Sequence, residues 1–181
     1  MTPTALIVTL QMEAGAAARF TALRQAHFPP ERNWLQAHIT LFHALPLDAL
    51  DTVLHDAAEL AAGTGPMALQ VERVHFLGAG VAYAMASDAA LRLRAALAAR
   101  WEPLLGRQDR AWHGPLHVTV QNKVHHLEAR RLQAELEREF VPHAVQAIGL
   151  QVWYYVGGPW QPVASFAFGE GAAGAGPAAA G

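Results

Sequence analysis

A short pattern of histidine and threonine occurs twice in the chain, each time in a run of residues that favours a β-strand. It places His38 and Thr40 in the first half of the sequence and His117 and Thr119 in the second. Side chains alternate across a strand, so each histidine shares a face with its threonine, while the apolar residues between and after them face the other way. The pattern therefore predicts two strands, each with an apolar face on a core and a polar pair on the opposite face.

The predicted strands and helices follow an order that repeats. The order β-α-β-α-β is followed by β-α-β-α-β-β, which predicts two similar halves, about 1–79 and 80–168. If a pseudo-twofold axis relates these halves, the two polar pairs converge across one groove. The predicted strands are 4–12, 36–45, 67–77, 81–87, 116–124, 144–156 and 160–168, and the predicted helices are 13–28, 48–62, 88–105 and 126–140, with 106–115 as a loop.

Composition limits the class of protein. The 181 residues, 52% of them hydrophobic and 15% charged, suffice for one domain with its own core. A formal net charge of −2 argues against a long phosphate-binding surface, and the lack of cysteine excludes disulfides and thiolate metal sites. No signal peptide or membrane segment is recognised, so we expect a cytoplasmic location. The Gly/Ala-rich residues 169–181 are expected to form a disordered tail.

The doubled motif gives the chain a resemblance to a known family. Residues 38–41 (His-Ile-Thr-Leu) and 117–120 (His-Val-Thr-Val) are similar to the doubled His-x-Thr-x signature of the 2H phosphoesterase superfamily. That superfamily includes bacterial RNA 2′,3′-cyclic phosphodiesterases, also called 2′-5′ RNA ligases, and plant cyclic nucleotide phosphodiesterases. The resemblance covers about 4–168 and implies an α+β, bilobal fold of duplicated βαβαβ units, with antiparallel sheets around a central cleft and helices outside. It also implies a single domain over 1–168 and catalysis without a metal or cofactor.

Two segments depart from the RNA-directed members of that family. Those members commonly have a Phe-Leu-Gly-like segment after the first motif and an arginine shortly after the second. Here the corresponding residues are Phe-His-Ala-Leu-Pro at 42–46 and Gln-Asn-Lys at 121–123. The differences indicate a divergent branch.

The motif residues can supply acid–base chemistry. An imidazole, with a pKa of about 6.5, can be neutral or protonated near neutral pH. Hydrolysis of a cyclic phosphodiester needs a neutral ring to take a proton from water and a protonated ring to give one to the departing oxygen. Threonine hydroxyls can bind the phosphate oxygens. We therefore predict a metal-independent phosphodiesterase acting on a 2′,3′-cyclic nucleotide or RNA end, or on a 2′-5′ linkage, with His38, Thr40, His117 and Thr119 as catalytic residues. The resemblance implies that His38 is the acid and His117 the base.

Substrate contacts are predicted from strand alternation and aromatic character. Phe42 continues the face of the first motif, and Gln121 and Lys123 continue the face of the second. Aromatic side chains could stack on a base, and the further candidates are Tyr83, Trp112, Trp153 and Tyr155. His43 falls on the opposite face from His38 and is predicted to be structural.

Two alternatives remain open from the sequence. The chain could be a non-catalytic module that binds nucleotides or RNA ends. It could also be a metallohydrolase that uses several of its ten histidines, although no ligand spacing supports a metal site. The expected partner is a small nucleotide or an RNA end, with no long nucleic acid and no membrane, and the protein is expected to be a monomer.

Overall fold

A computed structural model describes residues 2–169 of the chain. The predicted tail, 169–181, lies outside the described residues except for Gly169. Within the described part, no helix has both the length and the hydropathy that crossing a membrane requires. The strands and helices are β1 (Ala5–Met12), α1 (Ala14–His27), β2 (Ile39–Leu45), α2 (Leu50–Ala62), β3 (Met67–Phe76), β4 (Val81–Ala86), α3 (Asp88–Arg100), α4 (Arg107–Arg110), β5 (Leu116–Gln121), α5 (His126–Glu139), β6 (His143–Tyr155) and β7 (Trp160–Ala167).

These strands form one sheet in which every pairing is antiparallel. The strand order is β2-β1-β6-β3-β4-β5, and β7 pairs with the C-terminal part of β6. The two motif strands, β2 and β5, stand at opposite ends of this order and yet contact each other. The sheet therefore curls until its end strands meet. The predicted α+β class with antiparallel strands is confirmed, but the strands form one curled sheet instead of separate sheets.

The two halves of the sequence are interleaved within the sheet. β6, from the second half, lies between β1 and β3 of the first half and pairs with both. β3 pairs on its other edge with β4, so both of its neighbours come from the second half. The sheet can therefore be completed only when both halves are present.

The largest differences from the predicted element bounds have local causes. Pro103 cannot continue a helix, so α3 ends at Arg100, and a single 3-10 turn and the short α4 follow where a longer helix and a loop were expected. β5 ends at Gln121, before Lys123, whose φ of 62° is left-handed. β2 begins one residue after His38, which therefore lies at the entrance of its strand.

Each motif strand contains a β-bulge directly after its threonine. A bulge sets two residues of one strand against a single residue of its neighbour, so the alternation of side chains fails at that point. Leu41 and Phe42 are consequently both buried in β2, and Val120 and Gln121 are both buried in β5. The expectation that Phe42 and Gln121 continue the faces of the motifs is therefore wrong.

Candidate active site

The two motif histidines are held in the same way. Nδ1 of His38 lies 2.8 Å from the carbonyl oxygen of Gln36, and Nδ1 of His117 lies 3.1 Å from that of Pro115. A carbonyl oxygen only accepts hydrogen bonds, so Nδ1 of each ring carries a hydrogen and donates it. Nε2 of each neutral ring keeps its lone pair and is available for proton transfer.

The pKa of His38 is strongly shifted. Burial is the main cause and lowers the pKa to about 4, while the hydrogen bond to Gln36 acts in the opposite direction. Positive charge on Arg24, His117 and His43 lowers the pKa further. In the free protein His38 is therefore neutral at neutral pH, and His117 is close enough to affect its protonation.

The two motif threonines lie beside the histidines, just before the bulges. Thr40 is half-buried and stands opposite Thr9 of β1, while Thr119 is half-buried and stands opposite Ala82 of β4. Thr119 and His38 line the same cavity. The hydroxyl groups are of the kind that can donate a hydrogen bond to a phosphate oxygen.

His38 lies between two cavities that share its side chain. Trp34 and Trp160 also line both cavities, and the ring of Trp160 packs against His38 with 4.4 Å between the ring centroids. The larger, the tryptophan cavity, has a volume of about 580 Å³ and is walled chiefly by Trp34, Trp153, Trp160, Gln11, Gln36 and Gln151. The smaller, the cationic cavity, has a volume of about 260 Å³ and is walled chiefly by Arg24, Arg32, Lys123, Thr119, Asn122 and Tyr155.

Arg24, on α1, is the most buried charged residue of the cationic cavity, with 4% of its surface exposed. Its Nε donates to Oδ1 of Asn33 at 2.8 Å and to the carbonyl oxygen of Leu35 at 3.0 Å. Its Nη1 donates to the carbonyl oxygen of Thr119 at 3.1 Å. Arg24 thus connects α1 to the segment that precedes the first motif and to the strand that carries the second.

The charge of Arg24 is not balanced by an acid. Burial lowers its pKa to about 10, which still leaves the guanidinium protonated at neutral pH. Between residues 2 and 169, no carboxylate lies at salt-bridge distance from it. Arg32 and Lys123 add positive charge, and none of the described residues that line the cationic cavity is acidic. Such a cavity favours an anion, and guanidinium and ammonium groups are common ligands of phosphate.

Residues 12–159 match the family described as the 2′-5′ RNA ligase superfamily. The chain belongs to the 2′-5′ RNA ligase superfamily. The resemblance inferred from the doubled motif is thereby confirmed. A search of curated proteins found no match.

Solved structures share the fold of this superfamily member. TT0787 of Thermus thermophilus is 15% identical, with a TM-score of 0.65 over 93% of this chain and 99% of the other. E. coli LigT complexed with 3′-AMP is 15% identical, with a TM-score of 0.60 over 92% and 99%. E. coli LigT complexed with ATP is 16% identical, with a TM-score of 0.53 over 93% and 99%. At these identities the likeness concerns the fold alone.

Phe42 and Gln121, predicted as substrate contacts, lie inside the protein. Phe42 is fully buried, with its ring 5.0 Å from that of Trp101 and under the guanidinium of Arg94. Gln121 is 3% exposed, and its Nε2 lies 3.4 Å from Oε1 of Glu128. The bulges that follow the two threonines turn both side chains away from the cleft.

The other predicted contacts divide into two groups. Lys123 and Tyr155 line the cationic cavity, and Trp153 lines the tryptophan cavity. Tyr83 and Trp112 are not among the described residues that line either cavity beside His38. Tyr83 is 7% exposed and packs 5.5 Å from Phe20, because β4 is a central strand that is buried on both faces. Trp112 is half-buried against the guanidinium of Arg94, at 4.0 Å.

His43 has a structural environment, which agrees with its predicted role. Its Nδ1 donates to Oδ1 of Asp109 at 2.9 Å, and its backbone N–H donates to the same carboxylate, as does that of Ala44. Burial acts to raise the pKa of Asp109, but these hydrogen bonds outweigh it and the pKa is lowered. Asp109 therefore fastens α4 to the second half of β2.

Arg24, Trp34 and Trp160 are site residues that the sequence reasoning missed. Arg24 follows Phe20 by one helical turn, so a charge at a core-facing position of α1 was the available signal. Trp34 and Trp160 carry no such signal, because each adjoins a turn whose path depends on the rest of the fold.

A group of side chains with metal-like spacing lies elsewhere, on α2. It consists of His55, Asp56 and Glu59, and both carboxylates bind Arg100 of α3. Because both carboxylates already have a cationic partner in Arg100, the group is best explained as part of the contact between α2 and α3.

Proposed function

We propose that this protein is a metal-independent phosphodiesterase that uses two histidines as general acid and base. Its substrate is a cyclic phosphate, as in a 2′,3′-cyclic nucleotide or RNA end, or a 2′-5′ linkage. The observation that carries the proposal is the equivalent tethering of His38 and His117, which leaves one free ring nitrogen on each of two strands that meet. Membership of the 2′-5′ RNA ligase superfamily supports the same chemistry.

In the proposed reaction, water adds across one phosphorus–oxygen bond. The base takes a proton from water as the water oxygen bonds to phosphorus. The bond from phosphorus to one ribose oxygen breaks, and the acid gives its proton to that oxygen. After the reaction the base is protonated and the acid is not, and proton exchange with solvent restores the starting state of both rings.

The lowered pKa of His38 bears on which ring is the acid. The family resemblance assigns the acid to His38, but this ring is neutral in the free protein. We propose that the bound phosphate raises the pKa of His38, because a nearby negative charge favours the imidazolium form. His38 then gains the proton that it delivers to the leaving oxygen, and His117 acts as the base.

The cationic cavity supplies the charge that such a reaction needs. Negative charge grows on the non-bridging phosphate oxygens as water attacks, and positioned donors stabilise it. Arg24 and Lys123 offer cationic donors, and Thr40 and Thr119 offer hydroxyl groups.

A small nucleotide is the proposed partner. E. coli LigT, a structural neighbour, has been solved with 3′-AMP, with ATP and with NADP+. The cationic side chains here line one cavity of about 260 Å³, which suits one or two phosphate groups better than a long backbone. We propose that the protein binds such ligands as a monomer.

Hydrolysis of 2′,3′-cyclic AMP by the His38→Ala and His117→Ala variants tests this function. We expect each substitution to lower kcat by at least about a hundredfold, since each removes an acid–base group. His126→Ala, which changes an exposed histidine at the start of α5, is the matched control and should keep normal turnover. RNA ends, ADP-ribose cyclic phosphate and 2′-5′ oligonucleotides complete the substrate panel.

Two results would overturn the proposed function. Near-normal turnover by either motif variant would contradict the two-histidine mechanism. Binding of 3′-AMP without turnover of any substrate in the panel would identify the protein as a non-catalytic nucleotide-binding module.

We also infer that the two halves of the chain arose by duplication. The counterparts in the two halves are β1 and β4, β2 and β5, and β3 and β6. Exchanging them turns the strand order β2-β1-β6-β3-β4-β5 into its own reverse, so every strand keeps equivalent neighbours. The bulge after each threonine and the tether of each histidine are further correspondences. This supports a pseudo-twofold axis that passes between β6 and β3.

A further inference from the structure

The tryptophan cavity differs in chemistry from the cationic cavity on the other side of His38. Its described lining includes no acidic side chain and no lysine or arginine, and His38 is its only titratable group. Its volume of about 580 Å³ falls within the range of cavities that hold small ligands. Such a lining suits an uncharged part of a ligand better than a charged one.

The indole rings of Trp153 and Trp160 form an aromatic surface in this cavity. Nε1 of Trp153 donates to Oγ1 of Thr9 at 3.0 Å, which fixes that ring. Trp160 lies 6.1 Å from Trp153 and 4.4 Å from His38, measured between ring centroids. Flat heteroaromatic rings stack favourably on such surfaces.

Trp34 closes one side of the cavity although 54% of its surface is exposed. Its ring rests on Gly158 in the turn between β6 and β7, where a Cβ would lie 2.3 Å from the indole. A tryptophan this exposed leaves apolar surface in water that a bound ring could cover.

Three glutamines supply the polar part of the wall. Gln11, Gln36 and Gln151 each carry an amide that can both donate and accept hydrogen bonds. Such groups match the edge of a nucleobase, which presents donors and acceptors without a full charge. Together with the indoles, they favour a nucleobase over a purely apolar ring.

We propose that the tryptophan cavity holds the base of the substrate, so that the substrate is a nucleotide with one unpaired base beside the reacting phosphate. This inference rests on the proposed function, since it places the phosphate in the cationic cavity. The base, His38 and the phosphate then follow one another across the cleft. A base in a duplex could not enter, because its pairing edge faces another base.

Two variants and two substrates test this placement. Trp153→Ala removes one stacking surface, and Ala17→Phe fills part of the cavity, because Trp153 and Ala17 both line it without lining the cationic cavity. We expect each variant to raise KM for 2′,3′-cyclic AMP about tenfold, with kcat little changed. Both variants should hydrolyse ribose 2′,3′-cyclic phosphate, which has no base, with the same kcat and KM as the wild type. Trp112→Ala, which alters a tryptophan outside the described lining of both cavities, is the matched control and should behave like the wild type.

Equal effects on the two substrates, or no effect on either, would overturn the base pocket. A second measurement separates this result from a failure of the proposed function. Adenosine, which has no phosphate, is titrated against the tryptophan fluorescence of the wild-type protein and of both variants. Weaker adenosine binding by the variants supports the base pocket even if no substrate is hydrolysed, whereas a wild type that does not bind adenosine contradicts it.

Discussion

His38 and Arg24 are two basic side chains whose protonated forms are disfavoured by burial in the same site. Burial lowers both pKa values, to about 4 for His38 and about 10 for Arg24. The consequence differs, because the guanidinium remains protonated at neutral pH while the imidazole does not. The site therefore presents one permanent charge and one ring whose charge depends on what binds beside it.

Phosphate binding should change the protonation of His38. We expect inorganic phosphate to raise the pKa of His38 by about 1 to 3 pH units, since an opposite charge nearby favours the protonated ring. Titration of the imidazole nitrogens by NMR, with and without phosphate, measures the change. A pKa that stays near 4 in the phosphate complex would mean that His38 enters the reaction as the base, and the order of the two histidines would be reversed.

Arg24 should matter for the reaction through its charge. We expect Arg24→Met to lower kcat/KM for 2′,3′-cyclic AMP by about a hundredfold, because it removes a buried donor to the phosphate. Arg24→Lys, which keeps a positive charge, should retain more activity than Arg24→Met. Arg19→Met, an exposed position on the same helix, is the matched control, and thermal unfolding of each variant checks the fold. The prediction fails if Arg24→Met and Arg19→Met have the same activity.

At the scale of single elements, the periodicity of the sequence predicted most strands and helices, including the two strands that carry the motifs. It could not predict the bulges in β2 and β5, which depend on register with neighbouring strands that come from elsewhere in the chain. Phe42 and Gln121 were misplaced for this reason. Trp34 was missed because its position depends on packing against the turn at Gly158, which is distant in the sequence.

The contact between α4 and β2 depends on one carboxylate. Asp109 is 2% exposed and accepts hydrogen bonds from the backbone of His43 and Ala44 and from the ring of His43. We expect Asp109→Ala to lower the free energy of unfolding by about 3 kcal/mol, since it leaves buried donors without a partner. Urea denaturation measures the loss, and Asp109→Asn, which keeps one acceptor, should lose less.

The pH dependence of this contact gives its own check. Because the pKa of Asp109 is lower in the folded state, its stabilisation is present above the ordinary carboxyl pKa and is lost as the pH falls through the folded value. Asp109→Ala should therefore narrow the stability difference between pH 7 and pH 3 relative to wild type. An unchanged difference would contradict this role.

At the scale of the whole molecule, the two halves depend on each other for their sheet. β3 pairs with β4 and β6, both from the other half of the sequence. Without the second half, the first retains only the β1–β2 pair and a strand without a neighbour. Two-stranded ribbons are marginally stable in water.

Fragments 1–79 and 80–168 should therefore not fold separately. We expect each fragment alone to lack a cooperative urea transition, since each lacks strands that its own strands pair with. The fragment 1–169 is the control and should unfold in a single transition. A sigmoidal transition from either half alone would show that the halves are independent folding units.

Backbone groups of the two end strands bind side chains from the helices. Arg24 binds the carbonyl oxygen of Thr119, Arg94 binds that of Leu41, and Asp109 binds the N–H groups of His43 and Ala44. Unsatisfied groups at a sheet end invite a further strand, either from the same sheet or from another molecule. These side chains occupy some of those groups. They therefore hinder β2 and β5 from pairing with each other to close a barrel, and from pairing with a strand of a second molecule.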